Sequence, residues 1–439
     1  MTMTGTSAFY SDLGPGRAVA DHCPSYYAAT LNDATRHPRL DGDIDAEVCV
    51  IGGGFSGVST ALTLAERGAR VVLIEARRIG WGASGRNGGQ LIGGIERQER
   101  LARVWGARAG ETFRALRFRG HEIIEERIAR YAIDCDLVHG AITAAAKASH
   151  MARLEAEHRA KEDRSPVELV DREAVRALLG TDAYHGGLID RRDGHLHPLN
   201  LCLGEARAAA SLGVRIFEET PASGIEGGTE LIVTTPHGRV RAESVVIAGN
   251  AYHRLERRRL AGLLFPAGSY MIATEPLGRE RAAGINRDNL AVIDSSLVID
   301  YFRLAPDTRL LFGGLCTYSN RDPASIAGAL RPRLARIYPG LADVRIDYQW
   351  GGRIGIVITR VPLIRRIAPG IYVMQGYSGH GIALSHIASE IVADAICGDP
   401  AQLELFEKVP QFRIPSTRWM GNQILALGMA WYRLRDWLS

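Results

Sequence analysis

Apolar residues in this chain gather in short runs whose spacing changes along its length. Val48-Cys49-Val50-Ile51 is a continuous apolar run of strand length, and Gly52-Gly53-Gly54-Phe55-Ser56-Gly57 follows it at once. From about Val58 to Arg67 the pattern suits a helix, and Val71-Val72-Leu73-Ile74 restores a strand-length run that ends on Glu75. Unbroken apolar runs bounded by turn residues mark strands buried on both faces. The order strand, glycine turn, helix, strand and acid is the order of a dinucleotide-binding unit. Gly52 permits the tight turn, Gly54 lets the backbone approach a pyrophosphate, and Gly57 lets the helix pack on the strand. The helix N-terminus faces the phosphates, and Glu75 is placed to accept hydrogen bonds from a ribose diol.

Further along, residues 96–131 are charged with periodic apolar positions and predict helices, as do residues 199–212 before a strand at Val214–Phe217. Val245–Gly249 reads as another buried parallel strand. Alternating strands are predicted at Ser269–Ala273, Leu297–Leu304, Arg309–Gly313 and Val344–Trp350. Ile371-Tyr372-Val373-Met374 then enters Gly376-Tyr377-Ser378-Gly379-His380-Gly381 and a helix from about Ile382 to Cys397. This second glycine turn has no acid-bearing strand behind it, so it completes the first site and does not make another.

The expected fold is α/β: a discontinuous Rossmann-like nucleotide domain (45–95, 196–255 and 351–400) with an inserted, mostly antiparallel-sheet substrate domain (96–195 and 256–350). An N-terminal arm (1–44) and a C-terminal helical tail (401–439) complete it. The tail carries Ile424, Leu425, Leu427, Met429, Trp431, Leu434, Trp437 and Leu438 with Arg433 and Arg435, an amphipathic pattern if helical. That helix either docks on the body or a second subunit, or contacts a membrane surface.

Composition narrows the chemistry. The 439 residues are 46% hydrophobic and 23% charged, as in ordinary globular proteins, and the net charge of +4 favours no anionic polymer. Arginines are dispersed and no basic aromatic module appears, so nothing points to nucleic acid. The six cysteines form no C-x-x-C pair, which excludes a redox disulfide of that type and the usual iron–sulfur spacing. With no charged leader followed by an apolar core, the expected location is the cytoplasm. Lysines are confined to Lys147, Lys161 and Lys408, so an activating lysine has few candidates.

The glycine-rich start, Glu75-Ala76-Arg77-Arg78-Ile79-Gly80, the loop Ala83-Ser84-Gly85-Arg86-Asn87-Gly88-Gly89-Gln90 and the late Gly379-His380-Gly381-Ile382 together resemble the D-amino-acid oxidase-like FAD-dependent oxidoreductases. Ser25–Thr30 and Leu427–Asp436 extend the resemblance toward the bacterial γ-glutamylputrescine oxidases and their polyamine-catabolic relatives.

This resemblance implies FAD and assigns its contacts. Gly52, Gly53, Gly54, Phe55, Ser56 and Gly57 would line the pyrophosphate; Glu75, Ala76 and Arg77 would meet the adenosine ribose. Ala83, Ser84, Arg86, Asn87, Gly88, Gly89 and Gln90 would run along the phosphates toward the isoalloxazine. Ala222 would lie by the adenine, Ala248 and Gly249 would close over the nucleotide, and Gly379, His380, Gly381 and Ile382 would flank the pyrimidine edge. Neither the cysteine nor the histidine that tethers the flavin in some relatives is present, so FAD is expected to be non-covalent.

The implied reaction is oxidation of a small amine's C–N bond by hydride transfer to flavin N5, with oxygen or another acceptor taking the electrons. The amine would be a γ-glutamyl polyamine or, alternatively, a cyclic, N-methyl or simple amino acid. The missing lysine also leaves open a quinone or an electron-transfer protein as acceptor.

Substrate-facing candidates are fewer. His380 is flanked by glycines where the flavin should lie. Tyr301 and Arg303 alternate on one strand and share a face, so Arg303 either grips a substrate carboxylate or is a surface arginine. Tyr270 and Tyr377 are either aromatic walls or packing. His195 and His197 lack a carboxylate cluster, and no metal site is expected.

Overall fold

The computed structural model describes residues 21–94, 106–160, 167–228, 230–296, 298–319, 321–414, 421 and 423. The N-terminal twenty residues and nearly all of the aromatic tail therefore lie outside the described residues, and so does that tail's expected role.

Two sheets share the chain. The first is built on β1 (Ile44–Ile51), β2 (Val71–Ile74), β7 (Arg215–Phe217), β10 (Gly238–Ile247) and β17 (Ile371–Gln375) in the order β17-β10-β1-β2-β7, all parallel. These are the continuous apolar runs, buried on both faces as their composition requires: Val48, Cys49, Val50, Val72, Leu73, Val245, Val246 and Val373 are 0–2% exposed. The free edge of β10 is divided. Its first half makes a hairpin with β9 (Leu231–Thr235), which β8 (Gly224–Glu226) extends, and its second half takes β17. Strand β16 (Leu363–Ala368) pairs antiparallel outside β17.

One face of this sheet is covered by α1 (Phe55–Glu66), α4 (Pro198–Ser211) and α5 (Gly381–Ile396), with α2 (Arg119–Tyr131) packed behind. A buried polar joint crosses the helix layer. Arg127 of α2 donates to Glu205 of α4 at 2.9 Å and to Ser59 and Thr63 of α1 at 2.7 Å, while Nε2 of His386 on α5 stands 3.1 Å from both Glu205 oxygens. Pairing of this kind is the usual way a charge survives burial.

The second sheet runs β15 (Ile346–Ile356), β11 (Phe265–Thr274), β14 (Leu310–Thr317), β13 (Tyr301–Leu304), β12 (Ala291–Asp294), β4 (Val138–Ala144), β6 (Gly186–His195), β3 (Gln90–Leu91), with β5 (Val167–Asp171) also on β6. Every pair is antiparallel except β12 with β4. Helix α3 (Ala148–Ala160) lies against it. The expected domain edges shift at two places. β15 crosses the 350/351 boundary, and Gln90–Leu91 joins the second sheet by pairing with Gly194–His195. Gly351 and Gly352 both lie inside β15. A Cβ at Gly351 would sit 2.7 Å from the Tyr270 ring, so close packing explains the glycine there.

Candidate active site

The four central strands of the first sheet end level. Ile51 pairs with Ile74 on one side and with Ile247 on the other, and Ile247 pairs with Val373. Their C-terminal continuations therefore converge: Gly52 after β1, Glu75 after β2, Ala248-Gly249 after β10 and Gly376–Gly379 after β17. A parallel sheet opens its binding crevice at this edge, where the chain connections diverge to either side of β1.

Gly52 carries a φ of +116°, a conformation open to glycine, and its amide donates to Ile74 at 2.8 Å. A Cβ on Gly57 would overlap the Gly52 carbonyl oxygen, so Gly57 serves helix-on-strand packing and does not line the crevice. Gly54 caps α1 with no side chain, and its place in the cavity wall leaves the first amides of the helix pointing into the crevice. Ser84 Oγ accepts from the Phe55 amide at 2.9 Å, tying the loop to the helix start. Glu75 is held by the amides of Gly53 (2.6 Å) and Arg77 (2.8 Å). Burial pushes its carboxyl upward, and those two donors pull it back.

A cavity of about 2090 Å³ runs from this edge to the second sheet. Small-molecule sites usually measure roughly 300–1,000 Å³, so this volume holds a dinucleotide and a substrate end to end. Of the expected cofactor residues, Gly52, Gly54, Phe55, Ser56, Glu75, Ala76, Arg77, Ala83, Ser84, Arg86, Asn87, Gly88, Gln90, Ala222, Ala248, Gly249, Gly379, His380, Gly381 and Ile382 all line it. Gly53, Gly57 and Gly89 do not: Gly53 is turned to Glu75, and a Cβ on Gly89 would strike the Leu196 carbonyl.

The loop is braced from within. Asn87 bridges the Ala83 and Ser84 carbonyls to the Gly89 amide, and Arg86 lies over the Trp81 ring, its guanidinium centre 4.3 Å from the ring centroid. Tyr377, one of the aromatic candidates, lines the cavity with its hydroxyl 2.7 Å from Ser56 Oγ.

On the substrate side Tyr301 lines the chamber, its hydroxyl 3.2 Å from Ser269 Oγ, and burial pushes the phenol up to about 12. Arg303 requires a correction. It is 2% exposed, is absent from the cavity wall, and donates to the carbonyls of Gly88 (3.0 Å), Leu196 (2.9 Å) and Leu304 (3.3 Å) and to the Tyr27 hydroxyl (3.3 Å). It braces the flavin-side loop and has no reach to a substrate carboxylate. Tyr270 is likewise packing, bonded to Thr317 and Asp322. His195 and His197 are buried, and burial lowers both to about 3. Nδ1 of His197 caps α4 by accepting from the Asn200 amide. Among the described residues no His, Cys, Asp and Glu cluster suits a metal.

Sequence reasoning missed several lining residues: His150 and Arg153 of α3, Ser295 and Ile299 between β12 and β13, Cys316 and Tyr318 at the end of β14, and Arg360 after β15. None sits in a motif; only the sheet brings them together.

The model of the FAD dependent oxidoreductase (DAO) family matches residues 47–395. The chain belongs to this family. Among curated relatives it is similar to "Gamma-glutamylputrescine oxidoreductase" of Escherichia coli (strain K12), 39% identical over 96% of this chain and 100% of that one. "Probable oxidoreductase OrdL" of Haemophilus influenzae is 37% identical over 95% and 98%. Among solved structures, glycine oxidase from Geobacillus kaustophilus superposes with a TM-score of 0.67 at 23% identity, covering 80% of this chain and 94% of that one. L-proline dehydrogenase from P. horikoshii gives 0.67 at 23%, covering 83% and 96%. The last two establish the DAO fold.

FAD, the family's cofactor, fits the residues present: a helix start with glycine at its N-cap for the pyrophosphate, a buried carboxylate for the ribose, and a track of small residues between them. This member of the DAO family is an FAD-dependent oxidoreductase.

Proposed function

We propose that this enzyme oxidises the terminal amine of a γ-glutamyl polyamine, γ-glutamylputrescine first, to an imine that water hydrolyses to the aldehyde and ammonia, with oxygen reduced to hydrogen peroxide. The carrying observation is that one cavity joins the nucleotide crevice to a chamber walled by the second sheet, so an extended amine has room to lie with one end at the flavin. The 39% identity to a γ-glutamylputrescine oxidoreductase along the full length supports the substrate class.

Bound non-covalently, FAD supplies the acceptor for the hydride that leaves the carbon next to nitrogen. The chain's own residues orient and enclose. Tyr301 and Ser269 offer hydroxyls on the substrate sheet, and Tyr377 closes the opposite wall through Ser56. The start of α5, at Gly381 and Ile382, lines the cavity and would present its positive dipole end to a bound flavin ring, favouring negative charge there. His380 stands beside it in the wall.

The test is anaerobic mixing of γ-glutamylputrescine with the yellow holoenzyme while its visible spectrum is recorded. Bleaching within seconds, and reoxidation with peroxide on admitting air, is the expected result. An unchanged spectrum removes this substrate and returns cyclic and N-methyl amino acids to the front.

A further inference from the structure

The segment Arg254-Leu255-Glu256-Arg257-Arg258-Arg259-Leu260 follows β10 and holds four arginines and one acid. Arg257–Leu260 forms a short helix, seated by Leu255 and Leu260, which are 8% and 7% exposed. Seating the leucines turns the arginines outward: Arg254, Arg257, Arg258 and Arg259 are all exposed. The one acid, Glu256, pairs with Arg259, and no described carboxylate pairs with Arg254, Arg257 or Arg258. Positive charge therefore accumulates on this face without local neutralisation.

A second stretch of chain adds apolar side chains to the basic face. Arg413 donates to the Arg258 carbonyl at 3.2 Å, and the Ile414 amide donates to the Gly262 carbonyl at 3.0 Å. These bonds fix residues 412–414 against the end of the short helix. Phe412 is held there 59% exposed, the most of any large hydrophobic among the described residues. Its neighbour Gln411 accepts from the Thr359 hydroxyl at 3.2 Å, which brings the turn carrying Ile358, 36% exposed, alongside. A lone exposed apolar residue means little, but an aromatic and an isoleucine rimmed by unpaired arginines form a patch with a polarity of its own. Arg254 and Ile358 also belong to the cavity wall, so the cavity reaches the surface at the border of this patch.

We infer that the face carrying Arg257, Arg258, Phe412 and Ile358 docks on an anionic lipid bilayer, its arginines meeting headgroup phosphates and Phe412 entering the interface. Charge complementarity selects this occupant: guanidinium groups without acid partners, set around an exposed aromatic, are what interfacial binding to anionic lipid requires. The chain that follows has the same composition. Residues 415–439 carry Arg418, Arg433 and Arg435 against one acid, Asp436, and hold three of the six tryptophans, Trp419, Trp431 and Trp437. Among the described residues no single helix is long and apolar enough to cross a membrane, so the contact is peripheral. The inference does not depend on which amine the enzyme oxidises.

The experiment is flotation of the holoenzyme with vesicles of phosphatidylcholine alone or mixed with phosphatidylglycerol. Binding to the mixed vesicles, none to the neutral ones, and release at high salt are expected. Arg257→Gln combined with Arg258→Gln lies outside the cavity wall and is expected to weaken vesicle binding roughly 10- to 30-fold. Phe412→Ser is expected to weaken it about fivefold while leaving its salt dependence unchanged. All these side chains are exposed, so both variants are expected to keep the wild-type flavin spectrum. Wild type that fails to float with the anionic vesicles overturns the inference. Flotation that survives either change intact overturns it as well, and assigns the lipid contact to another part of the chain. Dimerisation that Phe412→Ser abolishes, with no flotation, also overturns it and makes the face a contact between copies.

Discussion

Nε of Arg303 donates to the carbonyl of Gly88 at 3.0 Å, joining residues 215 positions apart. That bond fixes the loop that lies along the cofactor track, so Arg303 acts on the flavin and not on the amine. Arg303→Gln leaves buried carbonyls short of a donor and costs about 2–4 kcal/mol of stability. The expected outcome is a lower melting temperature and at least tenfold weaker FAD binding in a fluorescence titration. KM for the amine, measured with FAD in excess, is expected to move less than twofold. A selective rise in KM would restore the carboxylate-clamp role.

Gly54→Ala places a methyl group 2.7 Å from Ser84 Oγ, in the space where the pyrophosphate meets the start of α1. Ser84 is already held by the Phe55 amide, so it cannot retreat without losing that bond. The variant is expected to purify colourless and to bind FAD at least 100-fold more weakly, while its circular dichroism matches the apo wild type.

His197 supplies a pH dependence. In the fold it is neutral down to about 3, whereas the unfolded chain binds its proton near 6.5. Stability from this group is complete above pH 6.5 and is lost as pH falls from 6.5 toward 3, because there the unfolded state binds more protons. The slope is about 1.4 kcal/mol per pH unit, which gives about 2 kcal/mol by pH 5. His197→Asn keeps a good N-cap without the titration. Its melting temperature is expected to fall less than that of the wild type between pH 7.5 and pH 5; parallel curves would refute the assignment.

Glu205 neutralises Arg127 and faces His386 in a place with no exposure. Glu205→Gln leaves the buried Arg127 charge to Glu66 alone, 3.5 Å away and partly exposed, and is expected to destabilise by about 3 kcal/mol. Urea denaturation measures it directly, and a midpoint within error of the wild type would show the joint to be dispensable.

Where sequence was a good guide, the signal was local. The run Val48–Ile51, the glycines after it and Glu75 fold through contacts among near neighbours, so their order predicted both the parallel strands and the crevice. Alternation also placed Tyr301 and Arg303 on one face correctly. It could not say what that face meets, since the acceptors of Arg303 come from Gly88, Leu196 and Tyr27 in three other segments. Arg153 and Arg360 carry no motif at all. One lies on an ordinary charged helix and the other in a turn, and only the closure of the second sheet brings both to the cavity. Gly351 answers to crowding by Tyr270, a constraint likewise invisible along the chain.

The divided edge of β10 has a consequence for how the enzyme is born. Its second half is completed by β17, and the glycine turn and helix that follow β17 form one side of the flavin crevice. A ribosome delivers Gly52 and Glu75 well before Gly376–Ile382. Until then the crevice is open along one flank, with β10 holding an unpaired edge of apolar residues. Cofactor capture is accordingly a non-local event that waits on β17, and a chain that has made β10 but not β17 carries the exposed edge.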